Sequence, residues 1–194
     1  MVDIAFPLAE SQRAPAGLIY YEAFRRKLQP LVGRPAATSA LLTAGLNLTM
    51  MMGALADGRL LGIAGLHSHA DNCARISLRA SVAALGLARG SYAWAALSLF
   101  VAAPPCPADE LRVAALAVDA AARGQGIGTR LLAAVCDQAR RAGCRTVRLE
   151  VVDTNTGARA LYQRLGFTEV KTHRYPFVRH WLGFSGESVM IKQL

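Results

Sequence analysis

Six consecutive residues, Arg123-Gly124-Gln125-Gly126-Ile127-Gly128, constrain this chain more than any others. They follow an apolar stretch, Leu111 to Val118, with the character of a buried strand. They precede Thr129 to Ala142, whose apolar residues recur at helical spacing. A glycine-rich turn between a strand and a helix leaves backbone N–H groups bare and aims them at one spot. The positive end of the helix dipole is directed at the same spot. The run therefore predicts a phosphate or pyrophosphate site, with Arg123 and Gln125 adding donors at its rim. Its spacing excludes two common phosphate loops. A dinucleotide fingerprint needs G-x-G-x-x-G, whereas Gly124, Gly126 and Gly128 simply alternate. A Walker loop needs Gly-Lys-Ser/Thr after four spacer residues, and the run holds no lysine.

A second patterned region follows. Arg145 to Val152 alternates polar and apolar residues and then turns wholly apolar, as a strand entering a core does. Asp153-Thr154-Asn155-Thr156 is a turn and helix-start cluster. Ala158, Leu161, Tyr162 and Leu165 then recur at helical spacing. Gly166 is suited to end that helix in the left-handed conformation, with Phe167 packing back on it.

Arg123-x-x-Gly126-x-Gly128 resembles the R/Q-x-x-G-x-G/A signature of the GNAT superfamily of N-acetyltransferases. The string Asn155 to Phe167 resembles that family's N-x-x-A-x-x-L-Y-x-x-x-G-F. The likeness is specific over roughly Glu110 to Val170 and vague before it. It implies an α/β (α+β) fold: a mixed, mostly antiparallel sheet of about six to seven strands, splayed between the fourth and fifth and flanked by helices. It also implies acetyl coenzyme A as cosubstrate, with no metal. The backbone of Ala117 and Val118 would bind pantetheine as a pseudo-strand, one of their N–H groups steadying the thioester oxygen. Arg123, Gly124, Gln125, Gly126, Ile127, Gly128 and Thr129 would hold the pyrophosphate, and Asn155 would reach the pantetheine arm. Tyr162 matches the family's general acid; its plainer alternative is an aromatic core residue. The implied activity is direct acetyl transfer, in a ternary complex, to a primary amine on a small molecule or peptide. The alternative is a non-catalytic acyl-coenzyme A sensor of the same fold. The general base is left open between Glu150, first by its strand position, and Glu110, Asp119, Tyr21 and Glu22.

The remaining sequence bounds these expectations. A chain of 194 residues, 53% hydrophobic, is expected to fold as one domain over residues 1–194. Its formal charge of +9 suits an anionic partner such as coenzyme A. The arginines are scattered without interleaved aromatics, which argues against a nucleic-acid partner. Cys73, Cys106, Cys136 and Cys144 lack paired short spacing, so neither a zinc site nor a disulfide framework is expected. With no basic start followed by a long apolar run, a reduced cytoplasm is the expected location.

Pro15 to Leu31 reads as an amphipathic helix with Arg25, Arg26 and Lys27 on its polar face, ending near Pro30 and Gly33. Pro35 to Leu46 reads as a second helix. Asp57-Gly58 between apolar runs predicts a hairpin. Residues 71–103 form an insertion before the fourth strand, expected to be one or two helices broken at Gly90. Val82 to Ala103 is nearly apolar enough for a span, but Arg89 and Gly90 interrupt it. The insertion is therefore assigned to the acceptor side or to a homodimer interface, not to a membrane. His67-Ser68-His69-Ala70-Asp71-Asn72-Cys73 reads as a solvated turn at a strand end, with contact to the acceptor and then a metal site as the alternatives.

Overall fold

The computed structural model describes residues 2–32, 34–101, 106–175 and 183–194, with the backbone alone for 29–32. Seven strands form one sheet. They are β1 (Asp3–Ala5), β2 (Met51–Ala56), β3 (Arg59–His67), β4 (Glu110–Val118), β5 (Thr146–Val152), β6 (Thr168–Arg174) and β7 (Gly186–Gln193). Their order is β1-β2-β3-β4-β5-β7-β6. Only β4 and β5 pair in parallel. The expected hairpin is present: Asp57 and Gly58, at φ 50° and 76°, turn β2 back into β3. Two central residues with positive φ match the right-handed twist of the strands they join.

Side-chain alternation divides the sheet into two faces. Met52, Ala54, Ala64, Leu66, Leu111 and Val113 pack beneath α5 (Ile127–Arg141) and α6 (Thr156–Arg164). Met51, Ile63, Ala115 and Ala117 pack beneath α1 (Arg13–Val32) and α2 (Pro35–Gly45). The switch within β4 has a definite cause. Leu66 pairs with Val113 but Gly65 pairs with Ala115, so Ala114 is an extra residue in the ladder. One inserted residue moves every later side chain to the opposite face and bends the strand. The parallel pairing to β5 covers only Glu110 to Val113 against Thr146 to Leu149. Beyond the bulge β4 runs on to Val118 and β5 to Val152 without pairing, and the sheet opens as a V.

The insertion folds as two helices, α3 (Leu78–Leu85) and α4 (Leu87–Val101). Ser77 caps the first, its hydroxyl accepting from the Ala80 N–H at 3.3 Å. The break falls at Gly86, at φ 78°, and not at Gly90 as the sequence suggested. Gly90 lies inside α4 where that helix crosses α3. A Cβ there would stand 2.4 Å from the Val82 Cα and 2.5 Å from the Ser81 carbonyl oxygen. The glycine serves close packing rather than a turn. Leu97 is fully buried, and Phe100 meets Phe24 of α1 edge-on with ring centroids 5.9 Å apart.

Because both clashing atoms belong to backbone, Gly90→Val must separate α3 from α4. Overpacking of this kind costs about 1–3 kcal/mol. At about 2–4 °C per kcal/mol for a chain of this size, the thermal midpoint should fall by several degrees in a calorimetric scan. An unchanged midpoint would contradict the crossing.

Candidate active site

The end of β4 forms one wall of the V. The Asp119 N–H donates to the Leu61 carbonyl at 2.8 Å. Ladder alternation then makes Ala117 and Ile63 the next hydrogen-bonded pair and directs the N–H groups of Leu116 and Val118 away from β3, into the opening. Ala117 and Val118 are thus not equivalent: the Ala117 amide belongs to the sheet, and the Val118 amide faces the V. The Val118 carbonyl accepts from the Arg123 Nε at 3.4 Å.

The glycine run leads from this wall into α5. Asp119 starts a short 3-10 turn, Ala120–Ala122, its carboxylate accepting from the Ala121 N–H at 3.0 Å and from Arg59 at 3.1 Å. The backbone bond and the guanidinium hold its carboxyl below the usual range, which makes it a weak base. Gly124 and Gly126 follow at φ 78° and 75°, with open space where a Cβ would stand. Their requirement is conformational: L-residues rarely adopt this backbone. Gly126 is the N-cap of α5, and no side chain caps the helix. The N–H groups of Ile127, Gly128 and Thr129 therefore lack intrahelical partners. Arg123, Gln125 and Thr129 stand exposed around them. Gly128 has a different neighbour: a Cβ there would lie 3.3 Å from the Leu161 side chain. Its small size lets α5 approach α6.

On α6, Asn155 is the N-cap, its side-chain oxygen accepting from the Ala158 N–H at 3.2 Å. That oxygen is engaged, and the Asn155 amide N–H₂ donates no hydrogen bond among the described residues. Tyr162 is buried in the core beneath α5 and α6, 7% exposed. Its ring packs on Phe167 at a centroid distance of 6.0 Å. Burial pushes its phenol up to about 12, and the hydroxyl has no hydrogen-bond partner among the described residues. The helix ends as its sequence predicts, at Gly166 with φ 84° and the Phe167 N–H returning to the Tyr162 carbonyl at 3.0 Å.

Glu150 lies on the opposite face. Val147, Leu149 and Val151 point under α5 and α6, so Glu150 faces the α1 side at the start of the opening. It is exposed and bound to Arg148 at 2.7 Å. Four residues that the sequence did not assign to the site lie along this edge. Lys27 of α1 sits 4.7 Å from the Phe184 ring centroid. Burial lowers its ammonium, against the opposing charges of Glu187 and Glu150. Tyr175 donates to Glu187 at 3.1 Å. Lys27 is half-buried, not on a solvated face with Arg25 and Arg26. Its position was readable: Tyr20, Phe24, Lys27 and Leu28 fall at i, i+4, i+7 and i+8, one helical stripe.

The other base candidates fall away on position or environment. Glu110 is buried beside Arg112 at 3.4 Å, at the start of β4. It lies eight residues from Val118, roughly 25 Å along the strand. Tyr21 is buried, and Glu22 is exposed beside Arg25 at 3.4 Å. The segment from His67 to Cys73 turns at the strand end as expected, with His69 and Ala70 exposed at its tip, but its two ends are not solvated. His67 and Cys73 are buried, His69 Nδ1 lies 3.1 Å from the Cys106 carbonyl, and Asn47 donates to Asp71 at 2.7 Å. It closes the far end of the sheet, and among the described residues no cluster of His, Cys, Asp and Glu can hold a metal.

Comparison with known proteins agrees with this geometry. The family model described as Acetyltransferase (GNAT) family matches residues 19–167. The [ribosomal protein bS18]-alanine N-acetyltransferase of Escherichia coli (strain K12) is 40% identical over 70 residues, 35% of this chain and 47% of that relative. The chain thus spans about half the length of that relative. Among solved structures, a GCN5-related N-acetyltransferase from Kribbella flavida superposes with a TM-score of 0.61 at 23% identity, covering 100% of this chain and 98% of its own. A GNAT family acetyltransferase from Elizabethkingia anophelis with acetyl-CoA bound gives 0.57 at 15% identity, covering 100% and 98%. At these identities the two structures speak for the fold.

Tyr162 should stay protonated across the physiological range. An ultraviolet titration of the protein against Tyr162→Phe should show the missing phenolate step at about pH 12. A step near the ordinary tyrosine value of about 10 would mean that water solvates the hydroxyl freely.

Proposed function

The chain belongs to the GNAT family of acetyltransferases, and from that premise we propose that it moves an acetyl group from acetyl coenzyme A directly to a primary amine. The observation that carries this is the Val118 amide, facing the V beside an uncapped helix N-terminus. One thioester could lie along β4 and place its carbonyl at the first while its pyrophosphate meets the second. The residues present fit such a ligand: glycines with open space, an uncapped first turn, and exposed Arg123, Gln125 and Thr129.

In this reading the chain's own groups do four things. Backbone N–H groups of Gly124 to Thr129 and the α5 dipole hold the pyrophosphate. The Val118 N–H donates to the thioester oxygen as negative charge develops there. Glu150, or a water that it orients, accepts a proton from the substrate ammonium on the α1 side and so frees the neutral amine to attack. Tyr162 gives its phenolic proton to the coenzyme A sulfur from the α6 side. A carbon–nitrogen bond forms and the carbon–sulfur bond breaks; the first amine proton leaves through Glu150 to solvent, and the second, shed as the tetrahedral intermediate collapses, replaces the one Tyr162 gave to sulfur. A phenol raised to about 12 remains fully protonated, which suits a donor. The relative named for the ribosomal protein bS18 alanine supports an amine at a peptide terminus as one acceptor class; a small-molecule amine is the other. All four cysteines are unpaired thiols, which fits a reducing cytoplasm.

The rival is an acyl-coenzyme A sensor that uses the same loop and leaves Tyr162 as a packing residue. Tyr162→Phe separates the two. It keeps the ring against Phe167 and removes only the proton. Loss of a general acid costs about 10²–10⁴-fold, so kcat should fall in that range while acetyl coenzyme A affinity, measured calorimetrically, holds. Single-turnover transfer at wild-type rate would return Tyr162 to the core. Binding without any thiol release, across peptide and small amines, would favour the sensor.

A further inference from the structure

None of the groups proposed for acetyl transfer lies on the helical insertion, and its outer surface has an unusual character. α4 buries Gly90, Ala93 and Leu97. The positions diametrically opposite on the helix are Ala88, Tyr92, Ala95 and Leu99, all exposed and none charged. A surface helix ordinarily carries charge there. Tyr92 is 59% and Leu99 80% exposed; Trp94, two residues from Tyr92, stands off that face on the flank it shares with Leu87. Leu87 protrudes at the hairpin tip beside Gly86, 76% exposed, and Leu78, 45% exposed, stands at the start of α3. From Asn72 to Ala108 the chain holds Arg75, Arg79 and Arg89 and no Asp or Glu. Arg75 is tied to Asp71 at 2.7 Å. Arg79 and Arg89 are exposed and make no ion pair among the described residues.

We propose that the outer face of the α3–α4 hairpin docks on an anionic lipid surface. Leucines with a tyrosine, flanked by arginines, fit the boundary between headgroups and acyl chains. The tyrosine ring suits an interface with one wet and one apolar side. No helix of the described residues is long and apolar enough to cross a membrane; the contact lies flat on the surface, with α4 extending about 22 Å along it. Charge selects the occupant. A second copy, the homodimer expected from the sequence, would bring Arg79 and Arg89 of both chains toward one another with no acid in either hairpin to offset them. A polar protein partner would find, along α4, only Arg89, Ser91 and Ser98 as hydrogen-bonding side chains beside its tyrosine and tryptophan, and no acceptor carboxylate. Lipid phosphates meet the arginines and leave the apolar side chains a place to go.

The test uses the whole chain with phosphatidylcholine vesicles, with and without phosphatidylglycerol. Co-sedimentation should require phosphatidylglycerol and weaken as salt screens the arginines. Arg79→Ala and Arg89→Ala should each weaken it about fivefold. Tyr92→Asp with Leu99→Asp should abolish it while acetyl coenzyme A affinity stays at wild-type value, since both side chains are exposed and remote from the glycine loop. With Trp94→Phe and Trp181→Phe as background, a tryptophan introduced on the docking face by Leu99→Trp should shift its emission to the blue on anionic vesicles alone. Equal binding to neutral vesicles, no binding at all, or binding that survives the double substitution would overturn the proposal. So would a dimer, seen by light scattering, that the double substitution dissolves.

Discussion

The parallel contact between β4 and β5 is short, and everything at the active site depends on where it stops. Four residue pairs hold the two halves of the sheet together, from Glu110 against Thr146 to Val113 against Leu149. Ala114 then adds one residue to β4, and the strand turns away. A continuous ladder would consume the Val118 amide in a sheet hydrogen bond and leave no opening. The bulge instead leaves backbone donors facing solvent while both flanking sheets keep their cores. Burial on the two sides is deep enough to hold the V apart: Leu131, Leu132, Val135 and Val147 are fully buried under α5, and Leu28, Leu42 and Ile63 under α1 and α2.

The same opening separates two chemistries. The α5–α6 face offers positive partial charge at an uncapped helix start and a phenol kept neutral by burial. The α1 face offers carboxylates and cations in balance, with Glu150 against Arg148 and Glu187 near Lys27. An anionic cosubstrate is suited to the first face and an amine to the second. Under the proposed function the two reactants approach from opposite sides of the sheet and meet only at the V. This arrangement calls for no covalent intermediate on the protein.

Much of this was legible before any coordinates. The glycine run and the Asn155 to Phe167 string are local, and local backbone demands leave marks in sequence: left-handed Gly124, Gly126 and Gly166, an Asn155 cap, and a Leu161 spacing that brings Gly128 close. The Asp57-Gly58 hairpin was legible for the same reason. Features that depend on distant chain segments were not. β5 takes β7 as its second neighbour, some forty residues later, with β6 outside it. β6 carries no alternating apolar pattern, because nearly all its side chains are exposed. Gly90 resembled a break because a glycine at a helix crossing and one at a turn look alike in sequence; only the nearness of Val82 distinguishes them. Lys27 was misplaced because its charge outweighed its position on the apolar stripe. The burial of the two ends of the His67 to Cys73 turn was not legible, because it comes from Cys106 and Asn47, remote in sequence.

The central claim is that the Val118 amide, and not its neighbour's, receives the thioester. Amide resonances of ¹⁵N-labelled protein report this directly on titration with a non-hydrolysable acetyl coenzyme A analogue. The account predicts a large downfield shift at Val118, accompanied by shifts at Gly124 to Thr129, with Ala117 little moved and protected from hydrogen exchange in both states. Shifts confined to the glycine loop, with Val118 unmoved, would contradict it.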